Sequence, residues 1–145
     1  MKPSETVCYN IKSAWHAIYR MYNVSANKHD ITTSIGYVLL NIDVKKGTPA
    51  TKIAPLIGLE ARSLTRMLKN LETDGMIYRQ ADEKDKRMVY VFLTELGKQK
   101  RNEAKNTVLN FNQQVMNKLG AEKLQAFFQI MSDIQKTIEQ VKVNE

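Results

Sequence analysis

Between Glu60 and Asp74 the chain carries two stripes that face opposite ways. Leu64, Leu68 and Leu71 recur at i, i+4 and i+7, the spacing that lines apolar side chains along one face of a helix for burial. Arg62, Arg66 and Lys69 repeat that spacing two residues earlier. At about 100° per residue the offset is about 200°, so the cations point almost directly away from the leucines. Such a helix must be clamped on one side and must leave its charges in solvent. The segments MIYRQ and MVYVFL then read as alternating strands on either side of the polar run ADEKDKR. A split-faced helix followed by a charged-tip hairpin is the order of a winged helix-turn-helix.

The flanking sequence extends this reading. Ile11, Trp15, Ile18 and Tyr22 predict a first helix over 5–24, with Ser4 available as its N-cap. Its apolar surface is too wide for a single contact. A second helix is expected from Thr32 or Thr33 through TSIGYVLLNIDV, closing at Lys45-Lys46-Gly47, with cations in the last turn and glycine after it. GTPATKIAPLIG predicts a short third helix, started near Pro49 and limited or distorted by Pro55, with Gly58 as the turn before the striped helix. After the hairpin, Thr94 opens a long helix with Ala104, Val108, Phe111, Val115 and Leu119 on one stripe. The last helix carries Leu124, Phe127, Met131, Ile134, Ile138 and Val141, whose alternating steps of three and four form a seam for another helix. The expected fold is therefore mainly α with a small β-hairpin wing. Its winged helix-turn-helix, about 32–97, is flanked by dimerisation helices, about 4–26 and 98–145, in a single domain.

Charge narrows the partners without locating the site. The net charge of +7 favours an anionic partner, yet residues 60–100 hold only +2 of it. The case therefore rests on where the cations point. One cysteine, Cys8, excludes an intrachain disulfide framework and a multi-cysteine zinc site. The N-terminus lacks an apolar signal region and no run is long enough to span a bilayer, so a cytoplasmic protein without a membrane partner is expected. No nucleophile–base pair, carboxylate pair, metal-ligand cluster or phosphate-cradling glycine loop is present to support an enzyme, a metal site or a cofactor.

In a module of this order the second helix of the helix-turn-helix enters the major groove of duplex DNA. Arginine there can bind guanine edges in bidentate fashion, while lysine and hydroxyl groups mostly hold phosphate. The candidate contacts are Arg62, Ser63, Thr65, Arg66 and Lys69 on the helix. Lys84, Lys86 and Arg87 on the wing tip are placed to reach a minor groove or phosphate. Asp82 and Asp85 would tighten the tip or orient its cations. The reading from another class is a protein-interaction module, in which the winged helix is a scaffold and the helical arms bind partners.

The stretch SLTRMLKNLETDGMIYRQADEKDKRMVYVFLTELG resembles the MarR family of bacterial transcription regulators. The shared pattern comprises Thr65, Leu71, Gly75, Arg79, the wing residues Asp82, Asp85 and Arg87, and Leu93, Thr94 and Gly97. Lys84 stands where the family usually has arginine. The resemblance implies a homodimer built from helices of both chain ends, pseudo-palindromic operators, repression in preference to activation, and release by a small aromatic or oxidant effector. It also offers two effector readings. Trp15, His16, Tyr19 and Tyr37 would line a pocket for an aromatic ligand, against a plainer role in packing. Cys8, with Tyr22, would match a branch that senses organic hydroperoxides, against a plainer role as a small apolar residue; Lys12 stands where that branch has a second tyrosine.

Overall fold

In the computed structural model, which describes residues 1–143, the leucine stripe is the centre of the core. Leu64, Leu68 and Leu71 are 4%, 3% and 0% exposed. They lie on a helix from Ala61 to Thr73, the fourth of six α-helices in chain order. The backbone divides into two compact units, Met1–Thr107 and a second from Val108 onward.

The first unit opens with a 3-10 turn at Pro3–Glu5, followed by α1 (Val7–Asn27). The N-cap of α1 is Thr6, whose hydroxyl accepts from the Tyr9 amide at 3.2 Å, and not the expected Ser4. The turn after α1 passes through Asp30 with φ of 55°. Thr32 then caps α2 (Thr33–Leu40). The Asn23 carboxamide oxygen in α1 accepts from both the amide and the hydroxyl of Thr33, at 3.2 and 2.7 Å, tying the two helices together.

Helix α2 ends earlier than its sequence predicts. Lys45-Lys46-Gly47 mimic a helix C-terminus, but the Asp43 carboxylate accepts the amides of Lys45 and Lys46 at 2.8 and 2.7 Å. A side chain that captures these amides offers the backbone a turn in place of a helix. These bonds, Lys46 first, hold the Asp43 carboxyl below the usual carboxylate range. Gly47 leaves the turn at φ of 65°, where an added Cβ would lie 2.7 Å from the Phe92 ring. Two residues, Thr48–Pro49, then form β1, a strand absent from the sequence expectation.

Pro55 lies inside α3 (Ala50–Ile57). The helix ends two residues later at Ile57, and Gly58 follows with φ of 65°, the left-handed C-cap conformation. The proline forfeits the i→i−4 bond its amide would have made to the Thr51 carbonyl, and α3 stays short. Helix α4 follows, then β2 (Ile77–Ala81) and β3 (Val89–Leu93). The sheet has the order β1-β3-β2 and is antiparallel throughout, with Ile77 opposite Leu93 and Arg79 opposite Val91. Ile77, Val91 and Leu93 turn inward to join the leucines of α4, Val38 and Leu39 of α2, Ile42, and Ile53 of α3 in one core.

The joint between α4, the wing and α5 (Glu95–Leu119) is close-fitting. The Thr94 hydroxyl donates to the Gly75 carbonyl at 2.6 Å and accepts from the Gly97 amide at 3.1 Å, so one side chain caps α5 and pins the turn after α4. A Cβ on Gly97 would run into the Met76 carbonyl. That contact gives the Leu93-Thr94 and Gly97 pattern its physical basis.

In the second unit, α5 continues to Leu119, and α6 runs from Ala121 to Val143 after Gly120 at φ of 82°. Leu124, Met131 and Ile134 of the seam are partly buried, whereas Phe127, Phe128, Ile130, Ile138 and Val141 remain 50–60% exposed. No helix among the described residues is long and apolar enough to cross a membrane.

Candidate nucleic-acid interface

With its leucines in the core, α4 turns Arg62, Ser63, Thr65, Arg66 and Lys69 to solvent, and all five are exposed. Among the described residues none of Arg62, Arg66 and Lys69 forms an ion pair, so the row presents unneutralised charge. The Thr65 hydroxyl donates to the Ala61 carbonyl one turn back at 2.9 Å. Its proton is thereby occupied, leaving its oxygen lone pair and methyl group for an outside partner. Glu60 is the N-cap of α4, but its carboxylate makes no capping bond.

The wing tip is built by its acids. Asp82 accepts from the amides of Lys84 and Asp85 at 2.7 and 2.9 Å, and Asp85 accepts from the amide of Arg87 at 3.0 Å. The Asp82 amide bonds the Met88 carbonyl at 2.9 Å and closes the loop. These carboxylates fold the tip from within and leave Lys84, Lys86 and Arg87 exposed. Arg87 is 96% exposed and keeps only a loose pair with Asp85 at 3.6 Å. The acids thus take the turn-shaping role expected of them.

Arg79 behaves differently from every candidate contact. Its Nε and Nη2 both donate to Oε2 of Glu72, at 3.1 and 2.7 Å. This hydrogen bond, supported by the guanidinium charge, holds the Glu72 carboxyl below its usual range. The pair joins the last turn of α4 to β2 across the Gly75 turn. Helical or strand periodicity relates residues within an element, so no sequence pattern marks this contact.

The aromatic residues assigned to an effector site come together in part. Trp15 lies 5.6 Å from Tyr37 and 5.9 Å from Tyr19 between ring centroids, and Tyr22 lies 6.5 Å from Tyr37. The hydroxyls of Tyr19 and Ser34 are 3.1 Å apart. Burial, with a smaller contribution from Tyr22, pushes the Tyr37 hydroxyl up to about 12. His16 is exposed and makes none of these ring contacts. Cys8 is exposed and Tyr22 buried on the same helix. Their fourteen-residue separation corresponds to about 21 Å of helix axis, so they cannot touch within one chain.

Residues 31–89, from the start of α2 to the beginning of β3, match the MarR family. Over that stretch the chain is similar to the MarR family. The HTH-type transcriptional regulator TtmR of Methylorubrum extorquens (strain PA1) is 33% identical over 92 residues, covering 63% of this chain and 47% of TtmR. The chain thus spans about half of that relative's length. The organic hydroperoxide resistance transcriptional regulator of Bacillus subtilis (strain 168) is 28% identical over 117 residues, with 79% and 80% coverage. Among solved structures, the repressor CouR bound to a 23-mer DNA duplex superposes with a TM-score of 0.78 at 25% identity, covering 91% of this chain and 94% of CouR. The regulator SlyA shares the fold at a TM-score of 0.81 and 22% identity, with 92% and 94% coverage. The family and these relatives are transcriptional regulators, not enzymes.

Proposed function

We propose that this chain is a MarR-type, sequence-specific, duplex-DNA-binding transcriptional regulator that acts in the cytoplasm as a homodimeric, ligand-responsive repressor on pseudo-palindromic operators. The observation that carries this reading is the unpaired row Arg62, Arg66 and Lys69 on a helix whose other face is fixed in the core. A rigid helix with free cations can enter a major groove without first breaking internal ion pairs. The acid-folded wing sets Lys84, Lys86 and Arg87 at the other end of the same module. The DNA-bound CouR structure supports the assignment by its fold.

Two copies are required because one recognition helix reads only a half-site. The half-exposed apolar residues of α6, and Val7, Tyr9 and Ile11 on α1, supply surface for pairing. An effector that binds better to one spacing of the two modules would lower operator affinity in proportion to its preference.

The measurement that tests DNA reading is affinity for a selected duplex across a salt series. Binding should weaken steeply from low to physiological salt, and Arg62→Ala/Arg66→Ala should reduce both the affinity and the slope. Unchanged affinity in that variant would refute the assignment and favour the protein-interaction module.

For the effector, the Trp15–Tyr19–Tyr37 cluster favours an aromatic ligand. A second reading, peroxide sensing through Cys8, is supported by similarity to the Bacillus subtilis regulator. Any contact between Cys8 and Tyr22 would then have to form between two copies. Peroxide treatment of wild type and Cys8→Ser decides between the two: an equal loss of DNA affinity rules out the thiol.

A further inference from the structure

We propose that the Glu72–Arg79 ion pair is a clasp that fixes the wing relative to helix α4, making Arg79 a positioning residue for duplex binding and not a phosphate ligand. The inference rests on the DNA-binding reading above and adds to it a residue whose charge works internally.

Three observations lead to it. The first is geometry: two nitrogens of one planar guanidinium converge on a single carboxylate oxygen, at 3.1 and 2.7 Å. That arrangement fixes orientation as well as distance, which a single point contact does not. The second is position. Glu72 lies in the last turn of α4, Arg79 in the middle of β2, and the backbone between them turns at Gly75 with φ of 71°. An added Cβ at Gly75 would meet nothing within 4 Å, so the turn is open on that side and Thr94 holds it only through the Gly75 carbonyl. The third is contrast. Arg62, Arg66, Lys69, Lys84 and Lys86 form no ion pair among the described residues, whereas Arg79 is neutralised at close range. Nη1 and the second Nη2 proton remain on Arg79, but a phosphate drawn to them would lie beside the Glu72 carboxylate, which repels it. The candidate DNA contacts are unpaired or, for Arg87, held only loosely by Asp85 at 3.6 Å, whereas the cation at the joint is spent on holding it.

The two roles predict opposite signs for one substitution. If Arg79 were a phosphate ligand restrained by Glu72, Glu72→Gln would release it and tighten binding. If the pair is a clasp, Glu72→Gln loosens the wing and weakens binding. Affinities would be measured on the duplex that the wild-type chain selects from a random pool, at about 0.15 M salt, where screening mutes general charge effects. Glu72→Gln and Arg79→Gln are each expected to weaken binding roughly threefold to fivefold. The double variant keeps the wild-type net charge and should be no weaker than either single change. A role in stability alone is separated by a further readout. The loss caused by Lys84→Ala/Lys86→Ala should shrink in the Glu72→Gln background, because an unheld wing no longer delivers its contacts. Tighter binding by Glu72→Gln, or an undiminished Lys84/Lys86 effect in its background, overturns the clasp while leaving DNA recognition intact. A wild-type chain that selects no duplex overturns both readings.

Discussion

The recognition module and the helical arms use apolar residues in opposite ways. In the module, Val38, Leu39, Ile53, Leu71 and Val91 are completely buried at 0% exposure. Along α6, by contrast, Phe127, Phe128, Ile130, Ile138 and Val141 stay half-exposed. Both regions are regular and strongly patterned, but only the first encloses its own apolar surface. Large apolar side chains left in water, with Phe127, Ile138 and Val141 among them at seam positions, forgo much of the stabilisation that burial brings. The module is therefore complete as one chain. We propose that the arms are completed by a second copy, as the DNA reading also requires.

The largest test of that contrast is on stability. Leu71→Ala should lower unfolding free energy by about 2–5 kcal/mol through lost burial and a residual cavity, at any protein concentration, as denaturant melts would show. Phe127→Glu/Ile138→Glu should instead leave the module folded and yield a monomer by light scattering, with any loss of stability dependent on concentration. A double variant that remains dimeric would end the proposed division of labour.

Next in size is recognition. Arg66→Ala should cost about 1–3 kcal/mol on a specific duplex and leave the melting midpoint unchanged, since Arg66 is exposed and forms no ion pair among the described residues. A shifted midpoint would mean that the cation stripe belongs to the module's stability after all.

The smallest effect concerns pH. Tyr37 titrates near 12 in the folded chain, above its ordinary 10.0, because burial disfavours the phenolate. Its contribution to stability is fully present below 10.0 and is lost as pH rises through about 12. The phenolate absorbance of wild type minus Tyr37→Phe should show that late transition. A component near 10.0 would place Tyr37 in water and weaken the case for the aromatic cluster as a ligand site.

What could be read from the sequence follows how local each signal is. The two stripes of α4 are relations within one helix, and both its limits and its faces match the expectation. The three-strand wing is legible only in part. Val89–Leu93 has a strand pattern, but β1 is two residues that pair with a strand some forty positions later, and two residues carry no periodicity. Lys45-Lys46-Gly47 misled because charge and glycine do mark helix ends; Asp43 claims the amides first. Within the candidate site, the exposure of Arg62, Arg66 and Lys69 was readable from their angle to the leucines. The commitment of Arg79 to Glu72 was not, because it depends on how the Gly75 turn brings two different elements together.

The central claim is that α4 reads duplex DNA and does so in pairs. The most direct test is to sequence the duplexes that the purified full chain selects from a random pool. The account predicts an inverted repeat whose half-sites are centred about one helical turn, ~34 Å, apart, and whose enrichment disappears with Arg62→Ala/Arg66→Ala. An unrepeated site, or no enrichment at all, would contradict it.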